Sequence, residues 1–404
     1  MTLASSSLVN VRAIKEVTFG VTPASGNPTV LRVTSESLSY DLSKKASDEI
    51  SSKRTVSSMQ TIDASVTGGL GQEIHYAGIE PFLESTLQST FSEFGTDGLG
   101  VATATTSITT TEITAASATS STSIFTNLKK GQWFRITSAG ANNGKILRVS
   151  TVTGPTTTVI TLDASTPAAA STSESIQVQA ARLTHGTTQT SWTIERENSD
   201  IGVFMAFKGC TPSKFSMKVA SGSLSTINFD FMGQSALEDT ATMLPGTPVA
   251  APTYDIHSGV TGATNAVWMD GVPVSGTYVK SVSLDFDNSL RSQGALGVLG
   301  AAAIGAGTIA CKASVEVYFA NKDLFTKYRQ NTNSSLIFAT TDSSGNGYIV
   351  TLPVCSIESW KSNAGGKDQD QMISVSLMAL SDDNNADATL RKAIFFDRIG
   401  AAVV

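Results

Sequence analysis

The sequence is poor in charge and in the residues that build catalytic and metal sites. Only 15% of its 404 residues are charged, against roughly 25% in an average soluble domain. Its 3 cysteines are too few and too dispersed for a disulfide framework or a zinc site. Its 3 histidines lie far apart and lack metal-ligand spacing, and no nucleophile-elbow motif occurs. We therefore expect no enzyme activity, no metal and no cofactor.

Three segments begin a binding motif without completing it. Residues 140–145 are one residue short of a phosphate-binding loop and lack its Ser or Thr. Residues 305–310 match a loose dinucleotide spacing, but the alternation that follows them predicts a strand and not a helix. Residues 383–387 start like a calcium loop and then lack its glycine and glutamate. Each segment is expected to be a turn or a loop.

Charge and hydropathy narrow the class of protein. The formal net charge of −6 argues against a basic nucleic-acid-binding surface. The first twenty residues contain no apolar run, so an ordinary secretory signal is not expected. Residues 292–311 are uncharged and long enough for a spanning helix. Their glycines make a poor helix, so an apolar loop buried between subunits is the favoured alternative. The expected class is a soluble cytoplasmic β-protein.

What the sequence does contain is the pattern of a β-protein. Ser, Thr and Gly mixed with Val, Ile and Phe are typical of short strands joined by turns. Helical spacing predicts amphipathic helices over 78–94 and 321–330, the second capped by Asn321. The predicted organisation is an irregular N-terminal arm (1–30), a first, discontinuous β domain (31–96 with 185–235), a small inserted β-barrel (97–184), a linker (236–275) and a second β domain (276–404). Within the insert, the Ser/Thr/Ala-rich residues 97–125 are either disordered or a weakly packed strand.

The second half of the chain repeats the order of the first. The repeated features are an alternating strand (37–41 and 283–287), a long loop, an Ala-Ser-Val segment (64–66 and 313–315), a short helix, and a final alternating strand (227–231 and 373–377). Five matches in one order are hard to attribute to chance. They predict an internal duplication, with the small barrel inserted into the first copy.

Alternation also sorts the strands of each half into a packed face and a polar face. The predicted packed face holds Leu38, Tyr40, Ile62, Val66, Phe229, Phe231, Leu284, Phe286, Val315, Val317, Val375 and Leu377. The predicted polar face carries six acids, Asp41, Asp63, Asp230, Asp285, Asp287 and Glu316, and one lysine, Lys312. This polar face is therefore predicted to be acidic.

Several segments resemble, in their order along the chain, the tail tube proteins of long-tailed bacteriophages. They are Glu16–Pro23 with Leu31–Leu38, Gly186–Arg196 with the Gly209–Cys210 turn, Asp342–Gly347, and Met378–Leu380 before Asp382 and Asp383. The similarity covers nearly the whole chain, although residues 97–125 match nothing in the family. The resemblance implies β-sandwich tube domains in stacked rings around a central channel, with a long hairpin loop from each domain reaching the next ring. The expected fold class is thus mainly β, with two tandem β-sandwich tail-tube domains, each with a short helix, and the inserted barrel.

The resemblance also implies a function and partners. The expected protein is a virion structural protein that polymerises into the tail tube, the conduit for DNA into the host, after assembly in the bacterial cytoplasm. Its expected partners are copies of itself, tape-measure proteins and tail-terminator or tail-tip proteins, while DNA passes without specific binding and no membrane is involved. Two domains per chain predict three chains per ring, with a true hexamer as the competing arrangement. A secreted or cell-surface β-sandwich adhesin is the alternative function, and an enzyme on a β scaffold is a third.

Two sets of functional residues follow from the tube interpretation. The six acids of the polar face are expected to line the channel, or else to face solvent outside the tube. Loop 43–60, with Lys44, Lys45, Asp48, Glu49, Lys53 and Arg54, is expected to bridge adjacent rings through polar pairs. Loop 289–310, whose only charge is Arg291, is expected to bridge them through apolar burial.

Overall fold

A computed structural model of the chain shows a mainly β protein. It describes residues 3–50, 52, 55–94, 103–116, 125, 127–172, 174–260, 267–274, 277–320, 322–364, 366–383 and 385–400.

The elements are numbered in chain order. The strands are β1 (Val9–Lys15), β2 (Thr29–Val30), β3 (Ser35–Glu36), β4 (Ser39–Ala46), β5 (Met59–Glu73), β6 (Ser92–Glu93), β7 (Thr103–Ile108), β8 (Glu112–Ala115), β9 (Trp133–Ser138), β10 (Ile146–Arg148), β11 (Val159–Thr161), β12 (Ser175–Gln179), β13 (Ala181–Thr184), β14 (Trp192–Asn198), β15 (Val203–Ala220), β16 (Thr226–Gly233), β17 (Ser235–Asp239), β18 (Val267–Met269), β19 (Val272–Pro273), β20 (Val279–Asp287), β21 (Arg291–Gln293), β22 (Ala303–Gly305), β23 (Ala310–Tyr318), β24 (Ser334–Thr341), β25 (Gly347–Asn363), β26 (Met372–Leu380) and β27 (Phe395–Arg398). The helices are α1 (Glu80–Leu87) and α2 (Asp323–Gln330), with short 3-10 turns at Ser6–Leu8 and Ala388–Leu390.

The centre of the molecule is an antiparallel run of eight strands in the order β4-β5-β16-β15-β20-β23-β26-β25. The first four strands (the first set) and the last four (the second set) follow the same order. In each set, the two strands of a long hairpin (β4–β5 or β20–β23) come first. The last strand of the set in chain order (β16 or β26) lies next to the hairpin, and a long strand (β15 or β25) follows it in the sheet. The two sets meet where β15 pairs with β20, and we call this pairing the internal junction.

The registers of the two sets also match. One row of paired residues crosses each set: Ser39–Thr67–Met232–Thr211 in the first and Asp285–Lys312–Met378–Ser356 in the second. Just beyond this row both long strands carry an irregularity, between Pro212 and Lys214 in β15 and between Ile357 and Ser359 in β25. The sequence correspondence of Ala64 with Ala313 is therefore wrong, because the row makes Gly68 the counterpart of Ala313. Short Ala-Ser-Val segments are too common to fix a register.

Each long strand continues beyond this central sheet into a second group of paired strands. The first half of β15 joins the order β2-β1-β14-β15-β17, and the first half of β25 joins β19-β18-β24-β25-β27. The main core includes Phe215, Phe229, Phe286 and Phe338. Two predictions are corrected here. Residues 1–30 are not irregular throughout, because β1 buries Val11 and Ala13 and β2 pairs with it, and residues 236–275 include most of β17 and all of β18 and β19.

Burial confirms most of the predicted packed face. All six residues of its second half are buried, as are Leu38, Val66, Phe229 and Phe231. Tyr40 is half-buried. Ile62 is 62% exposed, so its assignment to a packed surface is wrong. It has the correct parity, but it lies where the β4–β5 hairpin extends past the core.

The helices are shorter than predicted. Helix α1 begins at Glu80, with proline in its first turn, and ends at Leu87 because Gln88 adopts the left-handed conformation (φ 53°). Helix α2 has a residue with φ 50°, Asn331, at the same position. Its N-cap residue is Lys322, and the predicted cap Asn321 lies outside the described residues.

The insert forms a separate six-stranded sheet in the order β10-β9-β12-β7-β8-β11, with its own apolar core. Within the described residues it is not a closed barrel, which corrects the prediction. Its edge strands approach only at the isolated bridge Val149–Leu162. The Ser/Thr-rich segment contributes β7 and β8. The insert is attached to the body through Arg182, whose guanidinium donates 2.7 Å hydrogen bonds to both carboxylate oxygens of Asp397.

Candidate functional site

The six predicted acids lie on one face of the central sheet. Cross-strand pairing aligns them: Asp41 with Ser65, Ser43 with Asp63, Gly69 with Asp230, Lys214 with Asp230 and Asp287, Ser216 with Asp285, and Ser281 with Glu316. Asp41, Asp63 and Asp285 are exposed, and the other three are half-buried. A period-two strand places alternate residues on one face, so the face itself was predictable.

The polar face carries more lysine than the sequence pattern predicted. Lys214 and Lys218 on β15, Lys280 on β20, Lys312 on β23 and Lys361 on β25 lie on it, while Glu73 on β5 and Glu358 on β25 add to its acids. The face is acidic on balance, but its excess of acid is smaller than the six acids against one lysine expected from the sequence. The sequence interpretation left β15 and β25 out of the face, because bulges interrupt the alternation of both strands.

Three of the lysines of the polar face are paired locally. Lys214 lies 3.1 Å from Asp230, Lys312 lies 3.0 Å from Glu358, and Lys280 lies 3.7 Å from Glu316. These side chains are roughly half exposed, so each pair stabilises the fold by at most about 1 kcal/mol. Their main effect is that these three ammonium groups each lie beside a carboxylate. The polar face is consequently a mixed-charge surface with a slight excess of acid.

The β4–β5 hairpin extends beyond the core, and we call residues 42–63 the first arm. Strand β4 continues to Ala46 and β5 begins at Met59, so the predicted loop 43–60 is largely a hairpin. Lys44, Lys45, Asp48 and Glu49 are all exposed on it. Lys45 lies 3.4 Å from Asp48, and Glu49 accepts a 2.9 Å hydrogen bond from the Ser57 hydroxyl. The remaining predicted residues, Lys53 and Arg54, lie outside the described residues.

The second arm is the segment 289–309 between β20 and β23. It contains the hairpin β21–β22, so residues 292–311 are not a spanning helix. No described helix is long and apolar enough to cross a bilayer. The arm lies against the body at its base, where the Gln234 amide donates a 2.8 Å hydrogen bond to the Ala301 carbonyl. Its tip exposes Leu296, Val298 and Leu299. The apolar surface predicted for this arm is therefore present.

The two ends of the central sheet are free edges. Among the described residues, β4 pairs only with β5, and residues 356–363 of β25 pair only with β26. Next to these edges Tyr40 and Trp360 are half-buried. The indole Nε1 of Trp360 is buried and has no hydrogen-bond partner. We call these two free strands the outer edges. Nothing in the local sequence pattern distinguishes them from paired strands.

Burial shifts the pKa values of two titratable groups in the core, Cys210 and His257. Burial raises the pKa of the Cys210 thiol well above its usual range and lowers the pKa of His257 to about 4. A buried protonated thiol is a poor nucleophile. In the part of the chain that the structure describes, no three His, Cys, Asp or Glu side chains are grouped to hold a metal ion. The surfaces that remain as functional candidates are the polar face, the two arms and the outer edges.

One comparison with known proteins identifies a family. A family model described as phage tail tube protein matches residues 6–379. No curated protein matches the chain. The matched range includes the eight strands of the central sheet, except the last residue of β26, together with both helices, both arms and the insert.

Proposed function

The chain belongs to the phage tail tube protein family, and on this basis we propose that it polymerises as stacked rings into the tube that conducts DNA into the host. A structural protein of the virion tail is what the family match supports directly. The two sets of strands, each with its second group of paired strands and its helix, would be tandem tube domains. As further partners we propose tape-measure and tail-terminator or tail-tip proteins, with assembly in the host cytoplasm.

The observation that carries this proposal is the repeated order of strands across the internal junction. The outer edges belong to β4 and β25, which hold the same positions in their sets as β20 and β15 hold at the junction. Pairing β25 of one copy with β4 of the next would therefore repeat the junction between chains. An unpaired edge strand is prone to uncontrolled association, and a head-to-tail contact that closes into a ring removes it. Two domains per chain favour three chains per ring.

The polar face would then line the channel, with Asp41, Asp63, Asp230, Asp285, Asp287 and Glu316 in its wall. DNA adheres to a surface chiefly when lysine and arginine displace its counterions. Here carboxylates lie 3.0–3.7 Å from the ammonium groups of Lys214, Lys280 and Lys312. A small excess of acid would repel phosphates weakly, within about 8–10 Å at moderate salt. Such a wall would let DNA slide without binding.

The two arms would connect one ring to the next, in two different ways. The first arm presents charged residues (Lys44, Lys45, Asp48 and Glu49), to which Lys53 and Arg54 would add. The second arm presents an apolar tip. Both leave the central sheet from the same end, because each follows the first strand of its set. A contact from one end of a ring to the opposite end of its neighbour propagates into a filament.

Electron microscopy of the purified full-length protein, combined with the mass of a single ring, tests the proposal. We expect hollow tubes or rings, three chains per ring, the polar face inside and both arms between rings. Six chains per ring would refute the trimer. A stable monomer at high concentration would refute the tube function. A reconstruction with Asp41, Asp285 and Asp287 on the outer surface would refute the channel assignment.

A further inference from the structure

We propose that Trp360 of one copy packs against Tyr40 of the next, in a register that the internal junction already displays within one chain. This inference rests on the proposed ring and specifies how the ring closes. Its partner is a second copy of this chain.

The internal junction is held by an aromatic pair. Phe215 of β15 lies directly opposite Phe286 of β20. Their ring centroids are 5.5 Å apart and their planes differ by 10°, so the rings are stacked. Both side chains are buried. On the polar side, the Ser216 hydroxyl donates a 2.6 Å hydrogen bond to Asp285.

The matched row of residues identifies the counterparts of this pair at the outer edges. Thr211 and Ser356 occupy the same position in the row, and each is followed by a bulge. Four residues further along, Phe215 corresponds to Trp360. Ser39 and Asp285 likewise occupy the same position, so the next residues, Tyr40 and Phe286, correspond. An outer pairing in the junction's register would therefore place an aromatic ring against an aromatic ring.

The outer pair has the properties of an interface that lacks its partner. Trp360 is positioned by Phe325 of α2, with ring centroids 4.9 Å apart. Its Nε1 is buried and unpaired in the isolated chain, which is unfavourable unless a partner is supplied. Tyr40 brings a hydroxyl group as well as a ring. Aromatic cross-strand pairs stabilise sheets beyond the area that they bury.

Charge across the outer edges is complementary in the same register. Lys361 would lie opposite Ser39, whose hydroxyl donates a 3.1 Å hydrogen bond to the exposed Asp41. Lys361 would thus stand beside a carboxylate of the next copy. The internal junction also joins a lysine to a carboxylate, with Lys214 directly opposite Asp287 on the other side of the aromatic pair. A shift of one residue would place the two aromatic rings on opposite faces of the joint sheet and separate them.

Paired cysteines test the register in the full-length protein. The two in-register pairs are Asp41→Cys with Ser359→Cys and Tyr40→Cys with Trp360→Cys. Adjacent rows of an antiparallel sheet alternate in Cα separation between about 4.5 and 5.5 Å, and both values suit a disulfide. The first pair changes no buried side chain, so it remains informative where the second fails to fold. The native Cys210, Cys311 and Cys355 are buried and free.

Oxidation followed by non-reducing electrophoresis gives the readout. For at least one in-register pair we expect most chains to be cross-linked into a ladder of covalent oligomers. The largest oligomer should contain the number of chains in one ring. The single-cysteine variants should remain monomers on the gel. The control Lys45→Cys with Ser359→Cys lies four residues, roughly 13 Å, out of register and should cross-link at least tenfold less.

The possible failures are distinguishable. Rings in the microscope with no cross-link from either in-register pair would overturn the register and leave the tube function intact. Equal cross-linking of the control would also overturn it. Monomers at high concentration would overturn the proposed function and this inference together. A ladder that ends at six chains would support the register while refuting the trimer.

Discussion

Helices α1 and α2 have the same position in their halves and opposite environments. Each has eight residues, follows the second strand of its long hairpin, and ends at a residue in the left-handed conformation. Five residues of α1 are buried, including Phe82, Leu83 and Leu87. No residue of α2 is buried, and its Phe325 and Tyr328 are about 40% exposed. The difference lies in what covers each helix.

Both halves of the chain contact α1. In its own half, Phe82 packs against Trp192 and Phe231. The second half adds polar contacts: the Asn288 side-chain amide donates a 2.6 Å hydrogen bond to the Thr86 carbonyl, and the Tyr348 hydroxyl and the Arg398 guanidinium reach the Glu80 carboxylate at 2.8 and 2.9 Å. Among the described residues, α2 has no comparable cover. The comparison teaches that burial of a helix depends on what packs over it and not on its place within the half.

The largest expected effect is a difference in stability between two matched substitutions. Phe82→Ala should lower the free energy of unfolding of the unassembled chain by about 3–5 kcal/mol, because a fully buried ring leaves a cavity. Phe82 is 1% exposed and contacts Trp192 and Phe231. Phe325→Ala should lower it by only about 1–2 kcal/mol, because that ring already meets water. Urea unfolding of the two variants measures both values.

A second measurement sharpens this comparison. Phe325→Ala should raise the concentration at which rings form by at least tenfold, because Phe325 positions Trp360 at the outer edge. An equal loss of stability for both variants would show that α2 is already covered, and the comparison would then fail.

Sequence patterns predicted which face of a strand a residue occupies better than they predicted whether that residue is buried. All six packed-face residues of the second half are buried, because period-two alternation follows from strand geometry. Ile62 follows the same alternation and is exposed. Alternation reports which side of a strand a residue occupies, whereas burial depends on what lies above that side. The sequence carries no local signal that the β4–β5 hairpin extends beyond the core.

The candidate surfaces were predictable to the same extent. The six acids share one face, as alternation predicts. The lysines of β15 and β25 were not assigned to this face, because bulges after Pro212 and Ile357 interrupt the alternation of apolar and polar residues. The outer edges were also missed, since a strand's pairing partners lie tens to hundreds of residues away. Loop 43–60 was predicted as polar and exposed, but its hairpin pairing needed the structure.

The second prediction concerns the contact between the two halves. His257 joins them: its backbone N–H donates to the Ile74 carbonyl at 2.8 Å, and its ring Nδ1 lies 3.1 Å from the Thr340 hydroxyl. Burial, opposed by Asp342 and assisted by the nearby His75, lowers the pKa of His257 to about 4. The ring is therefore neutral in the folded chain, whereas an unfolded histidine gains a proton near pH 6.5.

Acid should weaken this contact. The stability due to neutral His257 is complete above about pH 6.5 and is lost as the pH falls from 6.5 to about 4, because only the unfolded state takes up the proton there. We expect His257→Gln to remove about 2–3 kcal/mol of the pH dependence of unfolding in this range. Urea titrations at pH 7 and pH 4.5 measure it. His185→Gln should likewise reduce the pH dependence, since burial also lowers the pKa of His185 to about 4 and its ring Nε2 accepts a 3.2 Å hydrogen bond from the Ala393 N–H of the second half. A slope unchanged by His257→Gln would contradict the assignment.

The smallest expected effect tests what the two helices have in common. Asn331 ends α2 with φ 50° and ψ 42°, and its backbone N–H bonds to the carbonyls of Lys327 and Tyr328. Asn tolerates this left-handed conformation, but Ala does not. Asn331→Ala should therefore lower the free energy of unfolding by about 1 kcal/mol, while Asn331→Gly should change it by less than about 0.5 kcal/mol.

At Gln88, by contrast, Gln→Ala should add no backbone strain, because both residues are disfavoured there to a similar degree, and any loss would come from the buried side chain. Thermal unfolding of the three variants distinguishes these contributions. Equal stability of Asn331→Ala and Asn331→Gly would show that the left-handed conformation at the end of α2 does not limit stability. The two helices would then share only their position in the halves.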